Sequence, residues 1–205
     1  HHFQSKFESG YIRDNGNLGS DILKQSINGE RHFIDLEFLH RYQDSIQILS
    51  RIQRWSDSEI LRDFETGKFR SIQQPQSFIE INHQRGPWAL SLSTHFRHEP
   101  FEYAIERTPE LSFQLLPTPL LNTGVFHSLN LSGVKLRNSN PGQSKDLEQN
   151  RFRGYYQWFY PVSLARFLDF TPQATIQHMH YRDSGETDVS FGITHMEMGF
   201  DLTAH

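Results

Sequence analysis

The sequence predicts an all-β chain: an antiparallel up-and-down meander that is part of a large transmembrane β-barrel. Three observations lead there. Strand-length segments with alternating apolar and polar residues succeed one another from about residue 33 to the end. Aromatic residues gather at the ends of these segments, and the connections between them run shorter and longer in turn. Side chains in a strand change face at every residue, so each segment has one apolar and one wet face. Many such strands in a row suit a sheet whose apolar face meets lipid and whose wet face lines a lumen.

Residues 1–32 are rich in Gly, Asn and Ser and weakly patterned. They predict an irregular N-terminal segment or a first barrel strand, with Ser20–Lys24 as a helical turn or an irregular approach strand. Residues 33–205 are expected to form a partial barrel wall. Nine strands are predicted there, at 33–42, 46–55, 77–84, 88–97, 108–116, 125–137, 152–160, 170–181 and 196–203. The first sets Ile34, Leu36 and Phe38 against Asp35, Glu37 and Arg41, and the second places Gln47 and Arg51 on its polar side. The clearest sets Trp88, Leu90, Leu92 and Phe96 against Ser91 and Ser93. The eighth carries Gln173 and Gln177, and the last carries Met198 and Phe200. Val189–Ile193 alternates out of phase with Met196–Leu202, predicting a bulge near His195 or a separate short strand.

Lipid-facing candidates are therefore Ile34, Leu36, Phe38, Trp88, Leu90, Leu92, Phe96, Met198 and Phe200. Lumen-facing candidates are Asp35, Glu37, Arg41, Gln47, Arg51, Ser91, Ser93, Gln173 and Gln177. Tyr42, Trp88, Tyr160 and Phe170 flank shorter turns, while Trp55, Phe96 and Tyr181 flank longer loops, as an interfacial aromatic girdle would require. Pro109, Pro117, Pro119, Pro161 and Pro172 are assigned to turns, where a missing N–H breaks no ladder. Ser56 and Glu59 fit a capping box and predict a short helical turn in the long 56–76 connection.

Composition narrows the classes. A 36% hydrophobic content and a mean hydropathy of -0.63 leave no run near the roughly 20 apolar residues of a spanning helix. A barrel escapes that limit because only alternate residues face lipid. The net charge of -4 gives no electrostatic reason to expect nucleic acid. With no cysteine, thiolate chemistry is excluded. The chain opens on His1-His2, and its strand pattern is still running at Leu202, so a fragment of a longer protein is expected.

Three stretches carry a family resemblance. They are Trp55-Ser-Asp-Ser-Glu-Ile-Leu-Arg-Asp-Phe64; Arg97-His-Glu-Pro-Phe101 leading to Glu106-Arg-Thr-Pro-Glu-Leu111, with Gln114–Leu120 and Asn122–Phe126; and Tyr156-Gln-Trp-Phe-Tyr-Pro161 with Phe170-Thr-Pro-Gln-Ala174. In order and spacing they resemble segments of LptD, the outer-membrane lipopolysaccharide-assembly protein family. Thr108 stands where the family usually has Leu, and the family's cysteines are absent. The resemblance implies a bacterial outer-membrane location and insertion of lipopolysaccharide into the outer leaflet. It also implies a plug lipoprotein of the LptE type and periplasmic Lpt bridge proteins as partners, with outer-membrane lipid around the wall.

Catalytic chemistry finds little support. There is no Gly-x-Ser-x-Gly elbow, P-loop or Gly-x-Gly-x-x-Gly. The expectation is no enzyme, no cofactor and no metal. His178 and His180, two apart on one strand face, are the one pair suited to a metal ion, with His195 and Glu197 as conceivable additions. The competing reading is a soluble β-sandwich or jelly roll, either carbohydrate-binding or using those histidines for a metal.

Overall fold

The computed structural model describes residues 2–16, 18–43, 45–70, 76–99, 101, 104–139, 147–183 and 189–204. Its strands are β1 (His2–Arg13), β2 (Glu30–Tyr42), β3 (Ile46–Trp55), β4 (Ser77–Arg85), β5 (Trp88–Phe96), β6 (Ala104–Pro119), β7 (Phe126–Ser139), β8 (Leu147–Phe159), β9 (Val162–Ala165), β10 (Leu168–Asp183) and β11 (Ser190–Ala204). Two short helices, α1 (Ile60–Phe64) and α2 (Thr66–Phe69), fall between β3 and β4. All the strands join one antiparallel sheet, in the order β1 through β8, then β10 and β11, with β9 pairing β10 off this path. The sheet is open, with β1 and β11 as its end strands. It is a single meander sheet, whereas a sandwich would need two stacked sheets sharing a core.

The N-terminal segment takes the second of its two expected forms, a strand, and several other elements differ from expectation. Residues 2–13 form a full strand, paired with β2 from His2↔Arg41 to Arg13↔Glu30. Phe3, Phe7 and Tyr11 share a face, but serines between them dilute the alternation. Ser20–Lys24 is neither a helical turn nor a strand. A Ser20↔Ser26 bridge closes a loop in which Lys24 N–H donates to the Asp21 carbonyl at 3.0 Å and Lys24 takes a positive φ of 63°.

The last strand has no bulge at His195. Its register against β10 runs unbroken from Ser190↔Arg182 to Ala204↔Leu168, and the register shift at this end lies between Leu168 and Asp169 against β9. Val189–Ile193 changes phase because β10 and β11 exchange the character of their faces together, beyond Ile176 and Met196.

The prolines are not all in turns. Pro109, Pro117 and Pro119 lie within β6, and Pro172 lies within β10. Pro117 and Pro119 fall in the last three residues of β6. In an antiparallel strand the N and O of one residue point to the same neighbour. The Pro172 carbonyl accepts from Tyr160 N–H at 3.0 Å, just beyond the last residue of β8. Its missing N–H therefore points where pairing with β8 has ended.

Connection lengths alternate only in the first half. Residues 14–29 and 56–76 are long, whereas 43–45 and 86–87 are tight. Gly86 holds a φ of 56° in the second tight turn, a conformation that carries no penalty without a Cβ. From 97–103 onward the alternation flattens, because β6, β8 and β10 run beyond their predicted ends.

The chain divides into two compact units: His1–Ile81 with Ser93–Pro109 and Leu136–Glu148, and Asn82–Leu92 with Glu110–Lys135 and Gln149–His205.

Candidate functional site

In the first unit, the registers of β1, β2 and β3 sort side chains cleanly, because directly paired residues share a face. One face carries Ile34, Leu36, Phe38 and Tyr42 of β2. Phe3, Phe7 and Tyr11 of β1 and Ile46, Ile48 and Ile52 of β3 join them. From Ile34 to Tyr42 this face, apolar except for His40, covers eight residue steps, about 27 Å at ~3.4 Å per residue. The lipid-facing band of an outer-membrane barrel is about 25 Å tall. The three sequence-predicted residues Ile34, Leu36 and Phe38 all lie in it. Phe3 meets Phe38 edge-on, with ring centres 5.4 Å apart.

The opposite face is a charge ladder. Asp35, Glu37, Arg41, Gln47 and Arg51 all share it, with Glu37↔Arg51 and Arg41↔Gln47 directly paired. Arg51 Nη2 lies 3.1 Å from Asp35 Oδ2 and 3.3 Å from Glu37 Oε1. Gln53 Nε2 donates to the same Asp35 oxygen at 2.7 Å. Lys6 and Glu8 of β1 extend the ladder, opposite Glu37 and Asp35. Sequence reasoning missed Gln53, Lys6 and Glu8, although Gln53 has the same parity as Gln47 and Arg51. A cavity of about 760 Å³ opens here, where Lys6, Glu37 and Arg51 border Leu39, Leu49 and Phe78.

At one end of this wet face the long connection folds into a cap. Phe33, Trp55, Ile60, Leu61 and Phe101 form a buried cluster, with Leu23 and Phe69 packed against it. Phe33 and Trp55 are direct partners across β2 and β3. Trp55 is 2% exposed, so it anchors the cap and does not belong to an interfacial girdle. Its odd number, shared with Arg51 and Gln53, places it on the wet face.

Arg31 ties the cap down from β2. Its Nε donates to Asp57 Oδ2 at 2.9 Å, its Nη2 to Asp57 Oδ1 at 2.5 Å, and its Nη1 to Asp63 Oδ2 at 2.9 Å. Asp14 stands 3.9 Å away, and the Phe64 ring lies under the guanidinium. Burial pushes the Asp57 carboxyl up, but hydrogen bonds from Arg31 and Ser56, the Arg31 charge and the Glu59 N–H together hold it below the usual carboxylate range. The Ser56–Glu59 capping box does not form. Ser56 Oγ instead donates to Asp57 Oδ2 at 2.7 Å, and Asp57 Oδ1 accepts from Glu59 N–H at 3.0 Å in the turn that precedes α1.

In the second unit, β8, β10 and β11 again carry two unlike faces. Leu168, Phe170, Pro172, Ala174 and Ile176 line one face of β10. Opposite them stand Ala204, Leu202, Phe200, Met198 and Met196 of β11, with Trp158 and Tyr156 of β8 alongside. Leu168 to Ile176 again covers eight residue steps, about 27 Å. Predicted residues Met198 and Phe200 lie here, and Phe170 meets Phe200 at 5.5 Å. The other face carries Gln173 and Gln177 with Thr175, Glu197 and Asp201. Gln157 Nε2 donates to Gln173 Oε1 at 3.0 Å, and Gln173 Nε2 reaches Asp201 Oδ2 at 3.5 Å, a polar chain across three strands.

Beyond Ile176 the characters reverse. Met179, Tyr181, Phe191 and Ile193 make the formerly wet face apolar, while His178, His180 and Thr194 make the formerly apolar face polar. Tyr181 stacks on Phe191, with centres 4.9 Å apart. Tyr181 thus lies on the face of Gln173 and Gln177, opposite to where a girdle would place it. His195 and Glu197 lie on the opposite face from His178 and His180, so the four do not form one ligand set.

On β5, Leu90 and Leu92 are 40% and 45% exposed, while Ser91 and Ser93 between and beside them are half-buried. Trp88 meets His83 edge-on at 5.2 Å, and Phe96 meets His98 at 5.1 Å. No group of three or more potential metal ligands stands together among the described residues, and no helix there is long and apolar enough to cross a membrane. No protein-family model matches the chain, and no curated protein matches it.

Proposed function

We propose that this chain is a stretch of wall of a bacterial outer-membrane β-barrel, and that the barrel moves lipopolysaccharide into the outer leaflet. One observation carries the barrel reading: in the middle of β5 Leu90 and Leu92 are more exposed than the neighbouring Ser91 and Ser93. In water that arrangement costs about 25 cal/mol for each Å² of apolar surface left uncovered. A lipid solvent removes the cost and makes the serine side the aqueous one. The two apolar runs of about 27 Å, close to the height of a barrel's lipid band, support the same reading.

The cargo rests on the three stretches that resemble LptD. In this reading each unit has its own polar face for sugar heads, the ladder of Asp35, Glu37 and Arg51 in the first and Gln173 with Gln177 in the second, while acyl chains leave into lipid. No bond is made or broken. A plug lipoprotein of the LptE type and periplasmic bridge proteins are the proposed partners.

Two measurements test the two parts. The full-length protein should fractionate with outer membranes and extract only in detergent; recovery from the soluble fraction overturns the barrel. Depleting it in its own host should stop newly made lipopolysaccharide from reaching the cell surface. Unchanged surface delivery overturns the cargo and leaves the barrel standing.

A further inference from the structure

We propose that His178 and His180 form a two-imidazole site for a divalent transition-metal ion, held over the side-chain-free surface of Gly192. The pair lies on one face of β10, and Gly192 is the direct cross-strand partner of His180 on β11. A Cβ built on Gly192 would sit 3.3 Å from His178 Cε1, 3.7 Å from His178 Nε2 and 3.6 Å from His180 Nδ1. One nitrogen from each ring therefore borders the same vacant volume. Imidazole–metal bonds are about 2.0–2.1 Å long, so both rings must turn toward an ion held over Gly192.

The second observation concerns orientation. His178 Nδ1 lies 2.8 Å from Thr194 Oγ1, its direct partner across the strand pair. With Nδ1–H donating to that hydroxyl, the lone pair is on Nε2, the nitrogen that faces the vacant volume. A ligating histidine is normally fixed in this way through its other nitrogen. Gly154 faces His178 from β8, so that strand adds no side chain above the ring.

Two neutral imidazoles with water completing the shell suit copper(II), nickel(II) and zinc(II), and exclude calcium and magnesium, which take oxygen ligands. Copper(II) binds tightest in the first-row order, then nickel(II), then cobalt(II). The site stands independently of the barrel reading. In a barrel it would lie just beyond the apolar band ending at Ile176 and Met196.

The test is a copper(II) titration of the purified full-length protein, followed by electron paramagnetic resonance. The expected signal shows two equivalent nitrogens at one copper per chain. His178→Ala and His180→Ala should each remove one nitrogen. Gly192→Ala, which keeps both histidines but fills the volume, should weaken binding, and Thr194→Val should weaken it by about 10–100-fold. His195→Ala, on the opposite face, and His2→Ala should leave the two-nitrogen signal intact. A parent protein without that signal, a signal that survives either His178→Ala or His180→Ala, or a Gly192→Ala variant of unchanged affinity would each overturn the proposal.

Discussion

Arg31 grips Asp57 with two hydrogen bonds, Nε to Oδ2 at 2.9 Å and Nη2 to Oδ1 at 2.5 Å, across 26 residues of sequence. Both side chains are almost wholly buried. The pair fixes the connection after β3 onto the wet face of β2, where Trp55, Ile60 and Leu61 complete its apolar footing.

Removing one partner of such a pair leaves the other charge buried and unpaired, which costs about 3–5 kcal/mol. Arg31→Met should therefore release the cap. Residues 56–70 should become sensitive to protease and quick to exchange amide hydrogens, while strands β8 to β11 stay protected. Arg51→Gln, at a half-exposed pair, should change neither.

Acid should act on the same contact. Asp57 titrates below its ordinary value of 3.8 in the folded chain. A group with a depressed folded pKa contributes stability that is full above the unfolded pKa and is lost as pH falls through the folded one. Cap protection should thus be flat at neutral pH and fall only below about pH 4. Asp57→Asn should abolish this acid step, as followed by amide exchange.

Gly10 is a site of close approach. A Cβ there would lie 2.3 Å from Phe33 Cε1, so the ring seated against Trp55 rests directly on β1. Gly10→Ala should displace Phe33 and loosen the cap, with a loss of the order of 1–3 kcal/mol for overpacking. Ser9→Ala, one residue away on the other face, should be silent when both variants are compared by thermal unfolding.

Strand identity was legible wherever alternation was dense. β3 matches its predicted bounds, and β4 and β5 differ from theirs by one residue. β1 was obscured because serine occupies every second position of its apolar face, which halves the periodic signal. The reversal at His178 and His195 looked like a bulge because one strand read alone cannot show that its neighbour reverses too. The ladder of Asp35, Glu37 and Arg51 was readable from parity, since register is set once one tight turn is placed. The cap was not. Arg31, Asp57, Asp63 and Phe101 are brought together by chain return, and no local pattern marks Arg31 as the partner of Asp57.

The central claim is that the exposed leucine side of β5 meets lipid and the serine side meets water. The chain has no cysteine, so single-cysteine variants report without background. Leu92→Cys and Ser93→Cys in the membrane-embedded full-length protein would be probed with a water-soluble maleimide and, separately, with a fluorophore quenched by spin-labelled lipid. The account predicts that the thiol at position 92 resists the maleimide and is quenched by lipid, while the thiol at position 93 reacts with the maleimide and is not quenched. A water-accessible thiol at position 92, or lipid quenching at position 93, would contradict it.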